Sequence, residues 1–143
     1  MKKILVPVDG SSNALRAVKF AVEEARHGPV TVHLLHVVTA FDDYGMTRAY
    51  ISKRLGDQLM RERANAILKR AAAPLRKAKV DFKLHVADGD SDTAIRIADT
   101  ARRLRCSAIV MGTRGMGTLG NLVLGSIATK VIHAARVPVT LVK

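Results

Sequence analysis

Apolar stretches of strand length alternate along this chain with segments whose apolar residues recur every three or four positions. KILVPV (3–8) opens the series as an unbroken apolar run, the pattern of a strand covered on both faces. In the following DGSSNALRAVKFAVEEAR, Ser11 or Ser12 can cap a helix whose inner stripe is Leu15, Val18, Val22 and Ala25. PVTVHLLHVV (29–38) is the second strand, and TAFDDYGM, aperiodic and carrying Gly45, is a loop. A long helix is predicted from about Thr47 to Ala78, with Ile51, Leu55, Leu59, Ile67, Ala71 and Leu75 along its stripe and Pro74 bending its end. VDFKLHV (80–86) alternates strictly, Val80, Phe82, Leu84 and Val86 against Asp81, Lys83 and His85. One face is therefore wet, and the strand belongs at a sheet edge. Ser91 can cap a third helix with Ile95, Ala98, Ala101 and Leu104 inward, and SAIVMG (107–112) is another buried strand. Ile127, Val131 and Ala135 mark a fourth helix, and VPVTLV (137–142) is a fifth strand.

Strand and helix in regular alternation dictate parallel strands joined by right-handed crossovers, with helices on both faces. The predicted fold is one α/β domain over 1–143: a doubly wound, five-stranded parallel sheet in the flavodoxin-like order 3-2-1-4-5. The third and fifth strands are then edges. VPVTLV is apolar, Pro138 suits an edge and not a central position, and an uncovered apolar edge invites another chain. A homodimer paired antiparallel through Val137–Val142 is the expected assembly.

Composition narrows the setting. A chain of 143 residues fits one domain and buries roughly two-thirds of its unfolded surface, so it needs no disulfide or metal to fold. Cys106 is the only cysteine, which excludes an internal disulfide and fits a reducing compartment. No apolar run approaches the ~18 residues of a membrane span, and the run in MKKILVPVDG is too short for a secretory signal, so the chain reads as cytoplasmic. The net charge of +12 points to an acidic partner: nucleotide, nucleic acid or anionic surface. RRLR (102–105) and RERANAILKR read as solvated helix faces, and no aromatic residue sits within a basic run. Both features weigh against a dedicated nucleic-acid surface.

The candidate chemistry concentrates in MGTRGMGTLGNLVLGS (111–126), which leaves the carboxyl end of a predicted strand, where open α/β sheets bind ligands. Gly115, Gly117 and Gly120 spell G-x-G-x-x-G, but in the last crossover and with no Asp or Glu beyond it to hold a ribose; a dinucleotide fingerprint is rejected. Gly112 and Gly117 have P-loop spacing, but Thr118 stands where that loop requires lysine. A third spacing remains: Gly112, two residues, Gly115, nine residues, then Gly125-Ser126. Gly112 and Gly115 let the strand exit bend round an anion without Cβ interference. The nine-residue excursion laps over it, and the N–H groups of Gly125, Ser126 and Ile127 open the last helix towards phosphates, with Ser126 Oγ adding a hydrogen bond.

At these residues the chain resembles the ATP-binding branch of the universal stress protein family, marked by G-x2-G-x9-G-[S/T] and matched by Gly112, Gly115, Gly125 and Ser126. The resemblance covers nearly the whole chain, through ILVPVDGS, HLLHVV and ARVPVTLVK. It implies an adenine nucleotide alpha hydrolase-like fold, ATP as the ligand with Mg2+ entering through its phosphates, a homodimer, and a role as a stress-response sensor or regulator. Position by position, it implies Asp9 on the ribose, Pro7 and Val8 walling the pocket, and the backbone of Val37 at the adenine edge. Met111 and Gly112 would line the opposite strand end, with Arg114 within reach of the phosphates. ADGDSDTAI lacks the proline often seen before the third helix, a departure that touches the turn and little of the nucleotide site. Bound ATP is expected to order the 113–124 loop.

Nothing else reads as catalytic. His33 and His36 point to opposite faces of one strand, His27, His85 and His133 are isolated, and all five are expected to be structural or solvated. Cys106 reads as a buried or half-buried thiol. Without a Walker lysine or a water-orienting group, hydrolysis of a bound nucleotide would be slow at most. A phosphorelay receiver would want a carboxylate pair after the first strand, where Asp9 stands alone. The alternative from another class is a basic, nucleic-acid-associated stress protein independent of ATP.

Overall fold

The computed structural model describes residues 1–39, 52–89, 92–114 and 124–143. Five parallel strands, β1 (Lys2–Pro7), β2 (Val30–Val38), β3 (Asp81–Asp88), β4 (Ala108–Gly112) and β5 (Val139–Val142), lie in the order β3-β2-β1-β4-β5. The helices are α1 (Ser12–Glu24, prolonged by a 3-10 turn at Ala25–His27), α2 (Lys53–Lys77), α3 (Thr93–Arg103) and α4 (Ser126–Ala134). Architecture and strand order are those predicted.

The unbroken apolar strands serve two cores at once, because alternate residues point to opposite faces. Ile4, Val6, Val32 and Leu34 pack with Val18 of α1 and Leu68 and Leu75 of α2. Leu5, Leu35 and Ile109 pack on the other face with Ile97 and Ala101 of α3 and Val131 of α4. Each fully buried Leu or Ile among them contributes roughly 1.5–3 kcal/mol. No helix among the described residues is long and apolar enough to cross a membrane.

The helices differ from their predicted forms in register and caps. α3 buries Ala94, Ile97 and Ala101 and leaves Ile95 47% exposed, and α4 buries Ala128 and Val131 and leaves Ile127 42% exposed. α1 likewise buries Ala14, Ala17, Val18 and Ala21. Apolar spacing fits two adjacent stripes, and the alanine-bearing one turns inward because small side chains let the helix approach the sheet closely. α2 begins at Lys53, since Ser52 is extended and its Oγ caps Leu55 N–H at 3.3 Å; the predicted start at 47–51 lies outside the described residues. Asp92 caps α3, its Oδ1 accepting from Ala94 N–H at 2.9 Å, while Ser91 lies outside the described residues. Strand β3 is the expected edge, but Leu84 and Val86 are exposed and His85 half-buried, because the α2 core covers only the Val80 and Phe82 end of that face.

Helices α2 and α3 end alike. Lys79 N–H donates to Arg76 O (3.1 Å) and Val80 N–H to Leu75 O (3.0 Å); Arg105 N–H donates to Arg102 O (3.0 Å) and Cys106 N–H to Ala101 O (2.8 Å). These are Schellman closures, whose left-handed position usually holds glycine. Here Lys79 (φ 56°) and Arg105 (φ 55°) occupy it, at a conformational cost of roughly 1–2 kcal/mol each.

Candidate functional site

β1 leaves the sheet between β2 and β4, where the winding of the chain reverses and a crevice opens outside the carboxyl ends. Pro7 closes β1 opposite Leu35, and buried Val8 donates its N–H to Leu35 O at 2.8 Å. The Val8 carbonyl in turn accepts from Nδ1 of buried His36 at 2.8 Å, so an imidazole on β2 pins the β1 exit. Half-buried Asp9 follows; its Oδ1 accepts Ser11 N–H at 2.9 Å and shapes the turn into α1. β4 pairs with β1 at Ile4–Ala108 and Leu5–Ile109 and runs on to Gly112, so Asp9 and the β4 exit leave neighbouring strands at the same end of the sheet. Val37 lies buried on β2 opposite Ala87, and Met111 lies buried on β4 opposite Leu141.

The close approach that Gly112 permits is to α1. A Cβ there would stand 2.8 Å from Asn13 Cβ and 3.0 Å from the Asn13 carbonyl carbon. Asn13, which sequence reasoning missed, thus seats the first turn of α1 against the β4 exit and brings two walls of the crevice into contact. Its only sequence signal is its place two residues after a capping serine.

Beyond β4 the chain leaves and returns to one residue. Thr113 N–H donates to Val142 O at 3.0 Å, and Thr113 O accepts Gly125 N–H at 2.9 Å. Half-buried Arg114 stands next to this junction, whereas Gly115 lies outside the described residues, as does most of the predicted 113–124 loop. The start of α4 therefore docks on the end of β4, with exposed Ser126 and Ile127 as its first two residues. Asp92 holds this helix against α3 through Lys130 Nζ at 2.7 Å; that ammonium first, then Ala94 N–H, keeps the Asp92 carboxyl below its ordinary range.

Helix α4 differs from the other three at its N-terminus. Ser11, Ser52 and Asp92 cap α1, α2 and α3 with side-chain oxygens, but Gly125 (φ −60°, ψ 151°) has no side chain to offer. Among the described residues the leading amides of α4 accordingly meet no capping side chain, and the helix dipole places about half a positive charge there. This end of the fold suits an anion that brings its own acceptors. Among the described residues no group of three His, Cys, Asp or Glu side chains converges as a metal site.

A profile of the universal stress protein family matches residues 1–143. The chain belongs to that family. It is similar to universal stress protein MJ0531 of Methanocaldococcus jannaschii, with 33% identity over 142 residues, 99% of this chain and 82% of that one. A universal stress protein of Thermus aquaticus is also 33% identical, over 99% of this chain and 98% of its own. The solved universal stress protein of Archaeoglobus fulgidus in complex with dAMP superposes with a TM-score of 0.73 at 27% identity, covering 100% of this chain and 98% of that one.

Two further sites complete the description of this family member. His85 is not isolated as predicted: its Nε2 lies 2.9 Å from Nδ1 of buried His33, with ring centroids 5.1 Å apart. The β2–β3 register makes the pair, by setting His85 opposite Leu35, one step along the same face from His33. Burial first holds both imidazoles below their ordinary value; His85, Lys3 and Lys83 add to this at His33, and Lys83 and Arg103 at His85. Cys106 is buried, and burial pushes its thiol up to about 11, which leaves it unreactive near neutral pH.

Proposed function

We propose that this family member binds an adenine nucleotide, ATP foremost, in the crevice between Asp9 and the start of α4. The observation that carries the reading is the bare N-terminus of α4, anchored by Gly125 to the β4 exit while the other three helices cap themselves. In this reading the amides of Ser126 and Ile127 hold the phosphates, helped by Ser126 Oγ and by Arg114; the Gly125 N–H, expected from the sequence to join them, is taken by Thr113 O, so Gly125 contributes its bare backbone and fixes the helix start. Gly112 lets α1 close on the β4 exit as one wall, Gly115 keeps the approach open, and the Asp9 carboxylate accepts the ribose hydroxyls. Pro7, Val8 and Met111 wall the pocket, and Val37 offers backbone groups to the adenine edge. Mg2+ enters with the phosphates. The dAMP complex of the Archaeoglobus fulgidus relative supports the ligand class.

Asp9 already serves the turn to Ser11, and the 112–118 spacing carries Thr118 where a P-loop has lysine, so the reading is of a sensor or regulator with slow turnover at most. The β5 edge, half-buried along Val139–Val142, supports antiparallel homodimer pairing through 137–142. Titration calorimetry with ATP, ADP and AMP, together with mass spectrometry of small molecules that co-purify, tests the reading. Saturable ATP binding is expected. Flat titrations with no adenine nucleotide recovered would overturn it.

A further inference from the structure

The four helices of the described residues run antiparallel to the strands, so they finish together at the amino end of the sheet, opposite the crevice. The ends of α2 and α3 deliver Arg76, Lys77, Lys79, Arg102, Arg103 and Arg105 there, all exposed. Lys2, Lys3, Lys83, Arg26 and Arg136 join them from the strand starts and from the ends of α1 and α4. Eleven of the 24 Lys and Arg residues thus gather at one end, where Glu23, Glu24, Asp81 and Asp99 are the acidic residues among those described. Lys2–Glu24, Arg26–Glu23 and Arg102–Asp99 pair at 2.8–3.1 Å, and Asp81 takes the Thr31 hydroxyl, so eight cations have no carboxylate partner among the described residues.

Charge alone would fit helix ends complementing their own dipoles. The backbone adds an independent observation. Lys79 and Arg105 hold the left-handed corners of α2 and α3, where glycine would be relaxed, so two cations are kept where the local conformation disfavours any side chain. The two corners lie on opposite faces of the sheet, since α2 packs in one core and α3 in the other. The arrangement is two cation clusters flanking the row of strand starts, about 19 Å across the five strands.

We propose that this end of the molecule is a contact surface for the phosphate backbone of duplex nucleic acid, separate from the crevice at the other end. Paired cation rows match paired phosphate strands, and 19 Å of duplex presents about 11 phosphate charges. The recognition is of backbone and not of bases: among the described residues Phe82, at the start of β3, has its ring covered by the Arg76 guanidinium at 5.7 Å and is not free to stack on a base.

The test is fluorescence anisotropy of a labelled DNA duplex of about 20 base pairs, titrated at several salt concentrations. With about five phosphates contacted, affinity should fall roughly 500-fold between 50 and 200 mM salt. The decisive variant is Lys79→Gly with Arg105→Gly, which removes two cations while relaxing both corners, so the fold is not endangered. It should lose ~10-fold or more in duplex affinity at low salt, flatten the salt slope by about 2, and bind ATP like the parent. Unchanged duplex binding in this variant would overturn the proposal. So would an equal loss from Lys53→Gln with Arg54→Gln at the opposite end, which would report net charge alone, or binding to phosphatidylserine vesicles with none to duplex.

Discussion

The two ends of the sheet are made by the same four helices and depart from local preference in opposite ways. At the carboxyl end α4 lacks the capping side chain that its three companions have. At the amino end α2 and α3 carry long cationic side chains at corners where none would be more comfortable. In the two proposals each departure favours an anion, the first because no side chain among the described residues caps the helix start, the second by holding charge in place. The lesson is that a parallel α/β fold is electrically directional: helix starts gather at one end, helix finishes at the other, and small local exceptions decide what each end can bind.

The largest effect that would test this contrast is on the wall of the crevice. In Gly112→Val the new Cβ would meet Asn13 at 2.8 Å, partly against backbone, so α1 and the β4 exit must separate. Overpacking of this kind costs about 3 kcal/mol, or roughly 10 °C in the calorimetric midpoint of a chain this size. An unchanged midpoint would mean that α1 does not seat on β4 as described. Ser126→Pro comes next. Proline suits the first helical position, and Gly125 already has the extended backbone that a residue before proline needs. The fold should survive while one amide and one hydroxyl donor disappear. Losing a hydrogen bond to a charged group is worth about 1.5–3 kcal/mol, so calorimetry should show ATP affinity falling at least ~10-fold with stability unchanged. Full affinity would place the phosphates away from α4.

Strand order and the two cores were legible because ILVPV, the Leu and Val pairs of HLLHVV, and AIV place apolar residues on both faces of each strand, as a doubly covered parallel sheet requires. The bare start of α4 was legible in Gly125-Ser126, since a glycine ahead of a helical stripe announces an absent cap. Helix registers were not, because Ile95 and Ile127 compete with alanines that spacing cannot rank and only contact with the sheet decides between them. Asn13 was hidden because its partner Gly112 is a hundred residues away. The left-handed corners were hidden because the usual marker, glycine, is replaced by Lys79 and Arg105. His85 read as solitary because pairing with His33 depends on β2–β3 register, which one strand's pattern does not contain.

The smallest expected effect sharpens how far the positive end reaches into the fold. His33 and His85 bind protons less readily in the folded chain than unfolded, burial being the leading cause and Lys3, Lys83 and Arg103 among the others. Below about pH 6.5 the unfolded chain therefore takes up more protons than the native one. Stability should be full above that pH and decline as pH falls through the depressed native values, at no more than about 1.4 kcal/mol per pH unit for each histidine. Denaturation midpoints at pH 7.5 and 5.5, in the parent and in His85→Gln, measure this, and the variant should lose less. Salt separates the causes, because it screens the cations but not the burial. The imidazole titrations followed by NMR should therefore move only part-way towards ordinary values in high salt. A complete return would make the cationic end, and not burial, the controlling influence; no movement at all would confine that end's field to the surface.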